Sequence, residues 1–179
     1  MILETERLLL RRPKQSDAQA VFNSYASDRE VTRYLSWPTH RSVADTLAFI
    51  SLSDDEWRRW PAGPYLVFSR ENGHPESLLG STGLFYKSPI RAVTGYVFAR
   101  EAWGHGYATE ALQSMVEVAS QTGVQRLEAI CHAEHTPSAH VLEKCAFTRE
   151  EVRREHFVFP NLKPQKKSDV FSYVRSFQG

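Results

Sequence analysis

The stretch from Tyr96 to Leu112, YVFAREAWGHGYATEAL, carries the residues whose types and spacing point most directly to chemistry. A β-rich run ends at Ala99, a short connector follows, and Gly104 and Gly106 stand where a helix is expected to open. Glycines at such a point let the main chain approach a ligand closely and turn successive N–H groups inward, while the helix N-terminus adds partial positive charge. That is a main-chain cradle for phosphate, and it requires no lysine. A dinucleotide fingerprint would place a third glycine at 109, where Thr109 stands, and a P-loop would need Gly-Lys-Ser/Thr, which is absent. A tight strand-to-helix turn without a ligand remains the alternative, and Gly-x-Gly by itself does not separate the two.

A second group of reactive side chains, His132, Glu134 and His135, lies further on. The His-x-x-His spacing falls on a strand-to-loop segment, where successive side chains point unevenly, and no second ligand pair accompanies it. A ligand-free polar loop is favoured over zinc, so no metal is expected. The only cysteines, Cys131 and Cys145, have no CxxC spacing and read as free thiols. The net charge of +1, from 22 basic and 21 acidic residues spread along the chain, argues against a nucleic-acid or membrane-surface binder that works by bulk charge. MILETERLLLRR is neither signal peptide nor membrane span, so the expected location is the cytoplasm.

The 179 residues suit one α/β domain spanning 1–179. Arg7 to Arg12 reads as a first strand, closed by Pro13. Ser16 with Gln19 at capping-box spacing announces a helix through Tyr25, and Val43 to Trp57 a second one behind Ser42. Strands follow at Tyr65 to Ser69, Leu78 to Tyr86 and Val93 to Ala99, with a turn over ENGHPES. A helix from about Gly106 to Gln121 stops at Gly123, and a strand covers Arg126 to His132. Thr136 and Pro137 open a short helix through Cys145, followed by strands at Arg149 to Phe159 and Asp169 to Phe177. This order predicts a mixed sheet flanked by helices.

The glycine segment resembles motif A of the GNAT superfamily of N-acetyltransferases, Gln/Arg-x-x-Gly-x-Gly/Ala, with Trp103-Gly104-His105-Gly106-Tyr107-Ala108 in register and Trp103 in place of Gln or Arg. WGxGYATEAL is similar to the RimJ/RimL-type branch, which acetylates protein N-termini. HTPSAHVLEKCAF resembles that branch's Asn-x-x-Ser-x-x-Val-Leu-Glu-Lys-x-Gly-Phe, with His135 for Asn and Ala146 for Gly. With the opening TERLLLR and the strand Leu79-Gly80-Ser81-Thr82-Gly83-Leu84, the resemblance runs through nearly the whole chain. It implies a mixed, mostly antiparallel twisted sheet of about seven strands, opened by a V-shaped splay and flanked by about four helices. It further implies acetyl-CoA as co-substrate, with pantetheine along the main chain of Val97, Phe98 and Ala99. The pyrophosphate would rest on the amides of Gly104, His105, Gly106, Tyr107, Ala108 and Thr109.

Direct transfer needs a neutral amine, a polarised thioester carbonyl and a proton for the departing thiolate. An α-amine, with a pKa near 8 against about 10.4 for lysine, is the easier nucleophile at neutral pH. The tyrosine that many superfamily members place four residues before the second motif's glycine is replaced by Leu142, so Ser138 becomes the candidate partner of the thiol sulfur. Where the branch often has an acid two residues before Gly95, this chain has Val93. Glu134, His135 and His132 are then the candidates for the base. The acceptor site is expected between the Tyr34–Trp60 region, with Trp37, Trp57 and Trp60, and the late strands with Phe157 and Phe159. A peptide N-terminus, a small polyamine or aminoglycoside-like amine, and a CoA-binding module without catalysis are the competing readings. Dimers are common in similar proteins. Gly106→Val should abolish acetyl-CoA binding by placing a side chain in the phosphate path; unchanged affinity by calorimetry would contradict the cradle.

Overall fold

The computed structural model describes residues 2–70 and 77–177. Strands β1 (Ile2–Glu4), β2 (Leu8–Arg11), β3 (Pro64–Ser69), β4 (Ser77–Ser88), β5 (Arg91–Phe98), β6 (Arg126–His132), β7 (Thr148–Val158) and β8 (Lys167–Ser176) form one sheet in the order β1-β2-β3-β4-β5-β6-β8-β7. Every neighbouring pair is antiparallel except β5 with β6. Eight strands therefore stand where the sequence suggests about seven. The added one, β1, is a three-residue edge too short to show an alternating pattern. Residues 71–76 of the expected ENGHPES turn lie outside the described residues.

Helix α1 (Ala18–Val21) runs on into a wider π turn over Phe22–Ala26. Asp17, rather than Ser16, organises its approach: the carboxylate accepts the Lys14 amide at 2.7 Å and the Arg11 guanidinium at 2.8 Å. Helix α2 (Val43–Arg59) starts at Ser42, whose amide is accepted by Asp45 at the N3 position. Helix α3 (Tyr107–Gln121) opens on Gly106 and ends before Gly123, both at positive φ. Helix α4 (Thr136–Lys144) begins one residue earlier than the Thr136-Pro137 cap suggests, with His135 as the N-cap.

One face of the sheet packs against α3 and α4 through Leu8, Leu10, Tyr65, Val67 and Leu84 on the strands and Leu112, Met115 and Leu142 on the helices. Leu66, Phe68, Val97 and Ala99 face the other way, onto Val21, Tyr25 and Ala26. Each fully buried Leu or Met contributes roughly 1.5–3 kcal/mol, so both ends of the central strands are held from two sides. The β4–β5 ladder is close at Gly80, where an added Cβ would meet the Val97 carbonyl and stand 2.9 Å from the Phe98 Cα. The parallel β5–β6 ladder has only three rungs, Arg91–Arg126, Ala92–Leu127 and Val93–Glu128. Past Val93 the strands part, giving the expected splay.

Candidate functional site

Beyond β5 the chain makes a single 3-10 turn over Arg100–Ala102 and reaches Gly104 and Gly106, at φ +80° and +81°. Both occupy the left-handed region that glycine enters without steric cost. Among the described residues, the amides of Gly104, His105, Gly106, Ala108 and Thr109 make no main-chain hydrogen bond, and the first return bond comes from Glu110 N–H to Gly106 O at 3.1 Å. These donors gather at the positive end of a fifteen-residue helix. The segment thus fits a diphosphate in the manner the sequence suggests. Glu110 is occupied elsewhere: burial favours its neutral form, but bonds from Thr5 and Arg7 outweigh this and hold its pKa below the usual carboxylate value.

The ladder stops at Val93, so the inner edges of β5 and β6 are unpaired with each other beyond it. Ala99 N–H bonds to Leu79 O at 2.8 Å, on the β4 side. Strand alternation then turns the main-chain groups of Phe98 and Tyr96 toward the gap. The Trp103 indole donates to Phe98 O at 2.8 Å, which gives the motif's unusual tryptophan a structural task. Val97 and Ala99 lie with their side chains against α1.

On the helix side, the Tyr96 hydroxyl reaches the start of α4, 2.9 Å from Ser138 Oγ and 3.0 Å from Ser138 O. Burial raises the Tyr96 pKa, so the phenol stays protonated. Ser138 Oγ also borders the Cys131 thiol; burial pushes both Cys131 and Cys145 up to about 11, and both are free. Leu142, at the position of the superfamily's usual tyrosine, is 1% exposed and belongs to the core. That position therefore offers no polar side chain, while Ser138, one turn earlier on α4, stands against Tyr96 of β5.

At the far end of β6 the remaining candidates meet residues from distant segments. The Tyr34 ring lies 4.9 Å from His132 and 4.7 Å from His135, His132 is 5.0 Å from Phe159, and Phe157 is 5.1 Å from Phe159. His132 Nδ1 accepts the Glu134 amide at 3.1 Å, which leaves its proton on Nε2 and removes Nδ1 as a base. Burial, with His132 beside it, pushes His135 down to about 4, and its Nδ1 is buried with no hydrogen-bond partner. Glu134 is exposed, and among the described residues its carboxylate forms no ion pair. Asn161 braces this mouth: its Nδ2 donates to Thr32 O at 2.7 Å and Trp37 O at 2.8 Å, while Oδ1 accepts Thr39 N–H at 2.8 Å.

Of the residues expected at the acceptor side, Tyr34, Phe157 and Phe159 converge here and the tryptophans do not. Trp57 packs on Tyr65 and donates to Pro64 O, Trp60 stacks on Tyr86, and Trp37 sits with His40. In the acidic stretch before Trp57, Asp54 pairs with Arg12 and Asp55 with Arg58, while Glu56 Oε2 is buried without a hydrogen-bond partner among the described residues. Sequence reasoning missed Tyr96 as a side-chain partner, although strand alternation from Ala92 and Thr94 places it on the helix face. No group of three or more His, Cys, Asp or Glu among the described residues is disposed to hold a metal ion. No helix among them is long and apolar enough to cross a membrane.

The acetyltransferase (GNAT) domain family model matches residues 7–148. The N-acetyltransferase p20 of Bacillus licheniformis is 30% identical over 157 residues, covering 86% of each chain. Among solved structures, RimL, a ribosomal L7/L12 alpha-N-protein acetyltransferase in complex with coenzyme A, superposes with a TM-score of 0.84 at 21% identity, covering 99% of this chain and 98% of that one. The spermidine N-acetyltransferase of Vibrio cholerae, with CoA and spermine, gives 0.78 at 18% identity over 96% of each. The last two likenesses speak for the fold. The chain belongs to the GNAT acetyltransferase family and is an acetyl-CoA-dependent N-acetyltransferase.

A pH dependence follows from His135. Its folded pKa lies below the unfolded value of about 6.5, so the neutral ring stabilises the fold fully above that pH, and the contribution fades as pH falls toward about 4. Replacing His135 with Asn should flatten the stability profile over that interval, measured by chemical denaturation at a series of pH values.

Proposed function

We propose that the acceptor is an N-terminal α-amine of a peptide or protein, acetylated by direct attack on acetyl-CoA. The observation that carries this reading is the character of the mouth at the end of β6. Tyr34, His132, His135, Phe157 and Phe159 present aromatic surface, and burial lowers the pKa of both histidines, which favours their uncharged forms near neutral pH. A polycationic amine calls for several free carboxylates. Here Asp169 is held by Arg154, Asp28 and Glu30 by Arg100, and Glu128 by Arg126, Arg91 and Lys87. Glu134 alone of this set is left to meet a single amine, which suits one α-amino group better than a spermidine or an aminoglycoside.

In this reading the diphosphate rests on the amides of Gly104, His105, Gly106, Tyr107, Ala108 and Thr109, and the thioester arm follows Val97, Phe98 and Ala99 along the open side of β5. The amine nitrogen attacks the thioester carbon and the C–S bond breaks. Ser138 Oγ–H hydrogen-bonds the departing thiolate, which takes its proton from solvent, while Tyr96 fixes the serine's rotamer through its 2.9 Å contact. The proton released by nitrogen passes to Glu134 through water, beside the neutral ring of His135, whose Nδ1 is buried. Holding both reactants in line supplies much of the acceleration.

Release of CoA thiol, followed with peptides bearing free or blocked N-termini, spermidine and an aminoglycoside, tests the assignment. Turnover confined to peptides with a free α-amine is expected. Turnover on the small polyamines alone would overturn the acceptor class, and tight CoA binding without turnover on any amine would favour a non-catalytic module. In the same assay Ser138→Ala should lower kcat by about tenfold or more while acetyl-CoA affinity holds; unaltered turnover removes Ser138 from the chemistry.

A further inference from the structure

The turn between β1 and β2 places Arg7 against the glycine segment, 103 residues away from its partner Glu110 in sequence. Its Nε donates to Glu110 Oε2 at 2.8 Å, its Nη2 stands 2.7 Å from the same oxygen, and its own amide donates to Glu110 Oε1 at 3.0 Å. The Thr5 hydroxyl donates to Oε1 as well, at 2.5 Å. The carboxylate is thereby held in one orientation, and the guanidinium with it. What that fixed guanidinium then does is the informative part: Nη1 donates to the carbonyl of His105 at 2.8 Å. Its Cζ also lies 4.8 Å from the centroid of the Tyr107 ring, which stacks on His105 at 5.5 Å.

A trans peptide is planar, with its C=O and the following N–H pointing in opposite directions. Drawing the His105 carbonyl to Arg7 therefore directs the Gly106 amide to the opposite side of the loop. That amide is one of the donors left without a main-chain partner among the described residues, and it stands at the positive-φ N-cap of α3. With φ near +80° at both glycines, this loop has no side chain of its own at those positions to choose between peptide orientations. A guanidinium fork supplies the choice, because it satisfies Glu110 and the carbonyl together in fixed geometry.

We propose that Arg7 is a positioning residue for the diphosphate of acetyl-CoA: by gripping the His105 carbonyl it presets the Gly106 N–H toward the phosphates. This rests on the reading of Gly104 to Thr109 as the diphosphate cradle. Glu110 is the anchor that holds Arg7 in place, and its charge is neutralised by the same contact.

The test compares two donors, acetyl-CoA and S-acetyl-pantetheine, the second carrying the thioester arm without a diphosphate. The readout is the ratio of their kcat/KM values. In Arg7→Ala this ratio should fall by about 10- to 100-fold, the loss of one charge-assisted hydrogen bond at a phosphate site. Arg7→Lys, which keeps the charge but cannot span Glu110 and the carbonyl together, should recover only part of it. Should Arg7→Ala fail to fold, Glu110→Gln loosens the same fork and is expected to move the ratio in the same direction. Equal losses on both donors would reduce Arg7 to a structural brace and overturn the proposal. A wild-type protein with no preference for acetyl-CoA over S-acetyl-pantetheine would overturn it through the cradle itself, and that failure appears before any substitution is made.

Discussion

After Val93 the parallel ladder between β5 and β6 ends, and the main-chain donors and acceptors along the two inner edges lose the partner that every other interior strand of this sheet retains. Unpaired backbone groups away from water carry a cost comparable to a lost hydrogen bond each. The protein meets that cost by bracing each strand on its outer side. β4 pairs with β5 as far as Phe98, and β8 pairs with β6 as far as His132. The opening is thus held by two continuous ladders and supported from both faces, by α1 on one and by α3 and α4 on the other. A gap of this kind is suited to an extended arm carrying its own amides, which is what the thioester arm of the co-substrate is.

The ends of the gap differ in character. Toward α3 it leads to open backbone donors at a helix N-terminus, where negative charge is favoured. Toward the end of β6 it leads to aromatic rings and neutral imidazoles. Between them, on the helix side, stand Tyr96 and Ser138 beside two thiols that burial keeps protonated. The donor's charge and the acceptor's nitrogen would be received in separate environments, so neither has to tolerate groups suited to the other. The replacement of the usual tyrosine by Leu142 is coherent with this layout: the position is filled by packing, and the polar role proposed for Ser138 lies one turn nearer the helix start.

Much of this was legible in the sequence. The Ser42 cap, the Gly106 to Gly123 interval and the Pro137 near the start of α4 set three helices to within a residue or two, because caps and punctuating glycines act locally. The glycine pair announced its positive-φ turn for the same reason. What stayed hidden depends on chain segments far apart. The sequence sets the Tyr34 region opposite Phe157 and Phe159, but no local signal gives the ring contacts of Tyr34 with His132 and His135, or of His132 with Phe159. The fork between Arg7 and Glu110 joins the turn between β1 and β2 to the first turn of α3, and alternation alone cannot pair them. Trp57 and Trp60 misled for a physical reason: a large aromatic beside a helix end fits a core as readily as a pocket, and here Tyr65 and Tyr86 claimed them.

Asn161 uses both ends of its amide to fasten the turn after β7 to the segment running from Thr32 to Thr39. Neither stretch supplies a residue of the glycine turn, although Tyr34 lies against His132 of β6, and Leu35 and Trp37 pack on the cluster that includes Val97 and Ala99. The side proposed to receive the amine and the turn proposed to receive the diphosphate are thus built from different segments of the chain. On that proposal, exchange of a few residues between positions 32 and 39 or around 161 would reshape the amine side without altering a residue of the glycine turn.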